Sequence, residues 1–213
     1  MYRIFIVSPA KTTGKRAQLL LNENASFDLA NRLRTSDDVT LGEAFAFLSG
    51  LYFRGKLSYS RHFARPPEGV AGCYVITSDA GLTMCDSTVT LQRLRRFAET
   101  PIDPQNAQYC GPLCETAAKL HDRLPARSEV VLLGSIATAK YVDLLHKCFG
   151  ERLAFPREFV GRGDMSRGGL MLRCVAAGTE LEYIKIGAAE SRTGKRPPKL
   201  APAPRTKRSS TDR

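Results

Sequence analysis

The sequence lacks a long apolar run, and this absence excludes a protein that spans a membrane by a helix. No stretch of the 213 residues approaches the roughly 20 apolar side chains that such a helix needs. The apolar run within residues 1–7 is also too short for the core of a signal peptide. We therefore expect a cytoplasmic protein with no membrane partner.

Several signatures of catalytic and cofactor sites are also missing. Gly14 and Lys15 lack the preceding glycine of a phosphate-binding P-loop. No dinucleotide fingerprint follows the first predicted strand, and no nucleophile elbow of the Gly-x-Ser-x-Gly type occurs. We predict no cofactor.

Paired Cys-x-x-Cys spacings are absent, although the chain has six cysteines. Single thiols in apolar contexts are typical of buried, reduced cysteines. The alternative is a metal or cluster site whose spacing fits known patterns poorly, ligated by Cys73, Cys85, Cys110 and Cys114. The three histidines are isolated as well, so we assign no metal ligand to His62, His121 or His146.

Positive charge is in excess and is concentrated at one end. The formal net charge is +11, and residues 185–213 contain nine Lys or Arg against two acidic residues. This end is also rich in proline and has little to bury, so we predict one α/β domain over 1–188 and a disordered basic tail over 189–213. Such a tail attracts polyanions through phosphate contacts. The alternative is a solubility tail with no dedicated partner.

Three short runs of apolar, β-branched or aromatic residues predict buried strands: Tyr2–Val7, Cys73–Thr77 and Val130–Leu133. Helical patterns separate them. This alternation predicts a three-layer α/β sandwich with a mainly parallel sheet and right-handed crossovers.

Capping and turn residues predict where several elements begin and end. Three helices are expected: one opened by a capping box of Thr40 and Glu43, one over 112–124, and one capped by Gly134 and Ser135 and ended by Gly150. The apolar runs 170–175 and 180–186 flank a short turn sequence and predict a late β-hairpin.

The segment 159–169 contains four glycines and two arginines and predicts a non-helical ligand loop. The glycines allow close approach of a ligand, and the arginines can bind an anionic oxygen in a bidentate manner. Asp164 can orient the arginines or accept a proton. The predicted phosphate-binding residues of this loop are Gly161, Arg162, Gly163, Ser166, Arg167 and Gly168.

Small polar residues follow each predicted strand. In a parallel sheet these exits meet at one edge, where ligands of open α/β proteins bind. Backbone amides and helix dipoles there favour an anion. We therefore predict a phosphate site that includes Ser8, Lys11, Thr12, Lys15, Ser78, Gly134 and Ser135. Asp79 and Asp164 are the candidate catalytic bases; alternatively, Asp79 caps a turn and Asp164 pairs with an arginine.

The segment 52–63 interleaves aromatic and basic residues. This mixture is typical of surfaces that stack single-stranded bases, which makes Tyr52, Arg54 and Tyr59 candidate contacts. The alternative is an aromatic anchor in the core with a solvated basic face.

Two family resemblances can be named from these residues. Ser8-Pro9-Ala10-Lys11-Thr12 resembles the N-terminal motif of the YaaA peroxide-stress family, which implies a role in limiting oxidative damage to DNA. Leu51-Tyr52, the segments 74–78 and 131–135, and Tyr141 resemble a small bacterial domain related to deazaguanine and archaeosine tRNA-modifying proteins. That resemblance implies a fold similar to uracil-DNA glycosylase. The whole chain also looks like a bacterial family that carries the 161–169 stretch.

The sequence thus predicts a protein that binds a nucleotide or nucleic acid through a glycine- and arginine-rich phosphate site. Enzymatic action would be on an N-glycosidic bond, as the glycosylase-like resemblance implies. The alternative is a non-enzymatic DNA- or RNA-binding protein, or an oxidative-stress-response protein resembling YaaA.

Overall fold

The chain folds around a six-stranded sheet, and the computed structural model describes residues 1–36, 38–188, 192–198 and 200. The strand order is β3-β2-β1-β4-β5-β6. The four inner strands are parallel, and each edge strand is antiparallel to its neighbour. The strands are β1 (Arg3–Val7), β2 (Cys73–Ile76), β3 (Leu82–Met84), β4 (Glu129–Leu133), β5 (Leu153–Pro156) and β6 (Tyr183–Lys185).

Helices cover both faces of this sheet. They are α1 (Lys15–Leu21), α2 (Asp28–Thr35), α3 (Leu41–Ser49), α4 (Leu51–Phe63), α5 (Leu91–Glu99), α6 (Ala107–Arg123), α7 (Ala139–Phe149) and α8 (Asp164–Ala177). Helix α4 packs on β1, β2, α3 and α8, whereas α6 and α7 pack together and contact β3 and β5. A mostly parallel six-stranded sheet with helices packed around it confirms the predicted α/β fold. Within the described residues, no helix combines the length and apolar character needed to cross a membrane.

The three predicted strands are confirmed as β1, β2 and β4. They were predictable because a central parallel strand is covered on both faces and must be apolar on both. Residues 4–7 of β1 and 130–133 of β4 are completely buried. The sequence analysis missed β5, although all four of its residues are buried. Its brevity and its final proline hide it, since a strand of four residues shows no clear periodicity.

The helix boundaries partly follow the predicted caps. The Thr40 hydroxyl accepts from the Glu43 backbone N–H at 3.2 Å, as the capping box predicts. Gly50, with φ of +61°, ends that helix, and α4 begins at the next residue. The prediction that Gly134 and Ser135 cap α7 is wrong, because the N-cap is Thr138. Helix α6 begins earlier than predicted because the Asn106 side chain caps it, and Pro112 lies inside the helix.

The prediction of a non-helical loop over 159–169 is wrong from Asp164 onward, because this residue begins α8. The same helix contains 170–175, so the predicted hairpin does not form. The late antiparallel strand exists as β6, but its partner is β5. The physical reason is helix packing. A Cβ on Gly168 would lie 2.8 Å from the Leu51 carbonyl oxygen, so this glycine allows α8 to pack closely on α4.

The cysteines depart from the prediction of reduced thiols. Cys73 of β2 forms a disulfide with Cys85, with their Cα atoms 5.7 Å apart. The other four are free thiols: Cys110, Cys114, Cys148 and Cys174. Among the described residues, no group of three or more His, Cys, Asp or Glu side chains could hold a metal ion.

The predicted basic tail falls mostly outside the described residues, which include only 192–198 and 200 of this part. The described part contacts the domain. Arg192 donates to the Asp143 carboxylate at 3.0 Å. A Cβ on Gly161 would lie 2.2 Å from the Lys195 carbonyl oxygen, so the absence of a side chain at Gly161 lets the two backbones approach.

Candidate functional site

The carboxyl ends of β1 and β4 form the centre of the candidate site. These strands are neighbours in the sheet, but the chain leaves β1 for the α4 face and β4 for the α7 face. A crevice opens where connections diverge in this way, and ligands of α/β proteins bind there. Ser8 and Gly134 follow the two strands and touch: a Cβ on Gly134 would lie 2.9 Å from the Ser8 Cβ.

A lysine that the sequence analysis did not select lies beneath Ser8. Lys56 projects from the middle of α4, and its side chain is completely buried. Its Nζ donates to the Ser8 carbonyl oxygen at 2.5 Å and lies 2.9 Å from the Ser8 Oγ. It also lies 4.4 Å from the centre of the Tyr52 ring and 4.8 Å from that of Phe53.

Burial changes the charge state of this lysine. Removal from water lowers the pKa of Lys56 to about 7; the Asp164 carboxylate raises the pKa, and the Arg167 guanidinium lowers it. Lys56 therefore loses its proton at a much lower pH than an exposed lysine does. A buried amine that gains and loses a proton near pH 7 is suited to acid–base chemistry.

Arg167 is the second buried cation. It lies in the first turn of α8 with 7% of its surface exposed. Its Nη2 donates to the Phe159 carbonyl oxygen at 2.7 Å, and its Nη1 approaches the Gly134 carbonyl oxygen at 3.4 Å. Asp164, three residues earlier, is 3.5 Å away and mostly exposed. Arg167 therefore joins α8 to the exit of β4.

Two buried polar atoms of this cluster have no hydrogen-bond partner among the described residues. They are the Nε of Arg167 and the hydroxyl of Tyr52. Burial raises the pKa of Tyr52 to about 12, although Arg167 partly opposes this, so the hydroxyl keeps its proton at neutral pH. Buried donors without a protein partner are rare because each costs about 1–3 kcal/mol. The two groups are neighbours, because a side-chain hydrogen bond with Arg167 is among the causes that lower the pKa of Tyr52, and an acceptor atom that reached this pair would satisfy a buried donor.

The remaining residues predicted at the strand exits serve other contacts. Thr12 and Ser78 both donate to the Phe97 carbonyl oxygen, at 3.2 and 3.0 Å, and so cap the end of α5. Lys11 and Lys15 are exposed, and Ser135, which follows Gly134, is half-buried.

Asp79, one of the two predicted bases, does not join the cluster. Its carboxylate lies 3.4 Å from Arg93 and 3.9 Å from Arg96, both on α5. The predicted turn cap is replaced by these ion pairs. Asp164 is therefore the only one of the two predicted bases that lies beside Arg167.

The residues predicted to form one glycine- and arginine-rich ligand loop make different contacts in the structure. Arg162 donates to the Glu158 carbonyl oxygen at 3.1 Å and to the Ser166 hydroxyl at 2.9 Å, which braces the start of α8. Gly163 is the N-cap of that helix. Arg162, Gly163 and Ser166 line a shallow cavity of about 350 Å³ on the side of α8 that faces the described part of the tail.

The prediction that Tyr52 and Tyr59 stack on bases is wrong, because both side chains are buried in α4. The Tyr59 hydroxyl is 2.7 Å from that of Tyr183 and accepts from the Leu181 backbone N–H. Arg54 is exposed on the opposite side of the helix. The alternative, an aromatic anchor in the core, is confirmed.

Helical spacing could have identified Lys56 from the sequence. It follows Tyr52 by four residues and Phe53 by three, and it precedes Tyr59 by three. It therefore lies in the middle of the apolar face that these aromatic residues define. A charged residue at such a position is uncommon and needs a buried partner, which Ser8 provides.

Comparisons with known proteins add no family assignment. No protein-family model, curated protein or solved structure matches this chain. The resemblances to YaaA and to a glycosylase-like domain therefore stay predictions.

Proposed function

We propose that the crevice between the ends of β1 and β4 binds a phosphate-bearing ligand of the nucleotide or nucleic-acid class. The observation that carries this proposal is the unpartnered, buried Nε of Arg167 beside the buried Lys56. An arginine whose other nitrogens are held by backbone carbonyls presents its remaining N–H in a fixed direction. Such an N–H is well suited to a phosphate oxygen.

The charges of the cluster favour an anion. Two cationic side chains are buried close together, and the carboxylate beside them, Asp164, is mostly exposed. Burying like charges without full compensation is unfavourable. An anionic group bound between them would reduce this cost, and the formal net charge of +11 would attract a polyanion toward it.

The predicted N-glycosidic chemistry is not part of this proposal. Asp79 is paired with the arginines of α5, and Asp164 is mostly exposed to solvent. The predicted stress role of the YaaA type does not depend on this crevice.

The test is a calorimetric titration of the full chain. The ligands are nucleoside 5′-monophosphates, the matching nucleosides and short single-stranded oligonucleotides. We expect the phosphorylated ligands to bind and the nucleosides to bind at least tenfold more weakly. Arg167→Lys keeps the charge but removes Nε, and we expect it to weaken binding about 10- to 100-fold, as for loss of a charge-assisted hydrogen bond.

Arg54→Ala is the matched control, because it removes one positive charge from the exposed side of α4. Thermal denaturation shows whether each variant is folded. Oligonucleotide binding is measured at several salt concentrations, since attraction to the tail weakens steeply with salt. Equal binding by the wild type, Arg167→Lys and Arg54→Ala would show that the crevice holds no phosphate.

A further inference from the structure

We propose that Ser8 is a nucleophile for phosphoryl transfer and that Lys56 is the base that activates it. The identity of the substrate, a phosphate ester held at the crevice, rests on the proposed function. The activation of Ser8 rests only on the geometry of the two side chains.

The hydrogen bonds of Lys56 orient its amine toward Ser8. Nζ lies 2.5 Å from the Ser8 carbonyl oxygen and 2.9 Å from the Ser8 Oγ. A neutral amine has two N–H groups and one lone pair. Because a carbonyl oxygen can only accept, one N–H is directed to it, and the lone pair is then available for the hydroxyl proton of Ser8.

A general base must be unprotonated, and the surroundings of Lys56 favour its neutral amine. Aromatic rings of Tyr52 and Phe53 and the sheet enclose Nζ, and burial lowers the pKa of Lys56 to about 7. The charged groups that act on it come from α8: Asp164 favours the ammonium form, and Arg167 opposes it. The free amine is then far more populated near pH 7 than it is for a lysine in water, whose pKa is about 10.4.

The reaction has two steps that return the protein to its starting state. Ser8 Oγ attacks phosphorus while Lys56 takes its proton, the bond from phosphorus to the leaving oxygen breaks, and that oxygen, on the far side of phosphorus, takes a proton from solvent. Water then attacks the phosphoserine from the far side and gives a proton to solvent, while the protonated Lys56 returns its proton to the departing Ser8 Oγ. The buried Arg167, which approaches the carbonyl oxygen of Gly134 beside Ser8, would stabilise the negative charge of the phosphoryl group in both steps.

A fluorophosphonate probe tests the activation of Ser8 without knowledge of the natural substrate. The reagent forms a bond between its phosphorus and an activated serine oxygen and releases fluoride. We expect mass spectrometry of the full chain to locate the adduct on Ser8. Its rate of formation should rise through about pH 7 and then level off, because the neutral form of Lys56 is the reactive one.

Three variants make the test specific. Ser8→Ala should lose the adduct, and Lys56→Met should slow its formation about 100-fold, the effect typical of a lost general base. Ser36→Ala changes an exposed serine at the end of α2 that bonds to the Arg32 carbonyl oxygen rather than to Lys56, and it should label as the wild type does. Phosphoserine formed from a nucleotide ester would then identify the substrate class.

Either of two results would overturn the inference: absence of an adduct on Ser8, or a labelling rate that does not change between pH 6 and about 9. The pH profile is measured on the wild type, so it decides even if a variant fails to fold. The proposed function fails separately. Ser8 labelling without nucleotide binding would overturn the phosphate-ester substrate, whereas binding without labelling would overturn only the nucleophile.

Discussion

Replacing Gly168 by alanine should lower the free energy of unfolding by about 2 kcal/mol. A Cβ at this position would lie 2.8 Å from both the Leu51 carbonyl oxygen and the Tyr52 Cα, which are backbone atoms of α4. The two helices would have to separate, and overpacking of this kind costs about 3 kcal/mol, partly offset by the better helix propensity of alanine, about 1 kcal/mol. Gly55→Ala meets the backbone of Gly168 at 2.7 Å and should behave alike.

Gly169→Ala is the matched control for this prediction. Gly169 lies in the same helix, α8, but the nearest atom to a Cβ there would be the Leu200 Cδ1 at 3.7 Å, an ordinary contact. This change should raise the stability by about 0.5–1 kcal/mol through helix propensity. Urea unfolding followed by circular dichroism measures all three variants. If Gly168→Ala is as stable as Gly169→Ala, α4 and α8 do not cross as closely as described.

The close crossing also has a functional consequence. Gly168 is next to Arg167, and Gly55 is next to Lys56, so the same contact that joins the helices sets the distance between the two buried cations. We therefore expect Gly168→Ala to weaken nucleotide binding even at temperatures where the variant is folded.

Lys56→Met should remove a strong dependence of stability on pH. The pKa of Lys56 is about 7 in the folded protein and about 10.4 in an unfolded chain. Between these values the unfolded state binds more protons, so the stability of the wild type rises with pH in this window and is lowest below about pH 7. The free energy of unfolding of the wild type, relative to Lys56→Met, should increase by about 2 kcal/mol from pH 7 to 9.

Lys15→Met is the control for this second prediction, because Lys15 is exposed at the start of α1. Its effect on stability should be small and nearly constant over the same pH range. Guanidinium unfolding at several pH values gives the comparison. A difference between the wild type and Lys56→Met that stays constant with pH would show that Lys56 is not held in a desolvated environment.

The sequence by itself determined the elements whose patterns are local. The strands β1, β2 and β4 are continuous apolar runs because both faces of a central parallel strand are covered. Thr40 and Glu43 predict the start of α3, because an N-cap depends only on residues within one turn. These signals, read in order, were enough to predict the α/β sandwich and the edge of the sheet where the candidate site lies.

Only the tertiary structure decided what the glycines and the lysine do. Gly168 lies in α8 at the point where this helix packs closely on α4. That contact joins segments more than a hundred residues apart, so the sequence alone does not show why a glycine stands there. Lys56 meets Ser8 across 48 positions of sequence. A buried charge is tolerated, and its pKa is set, by groups that reach it through packing rather than along the chain. The residues that supply the chemistry of the candidate site therefore came from the fold.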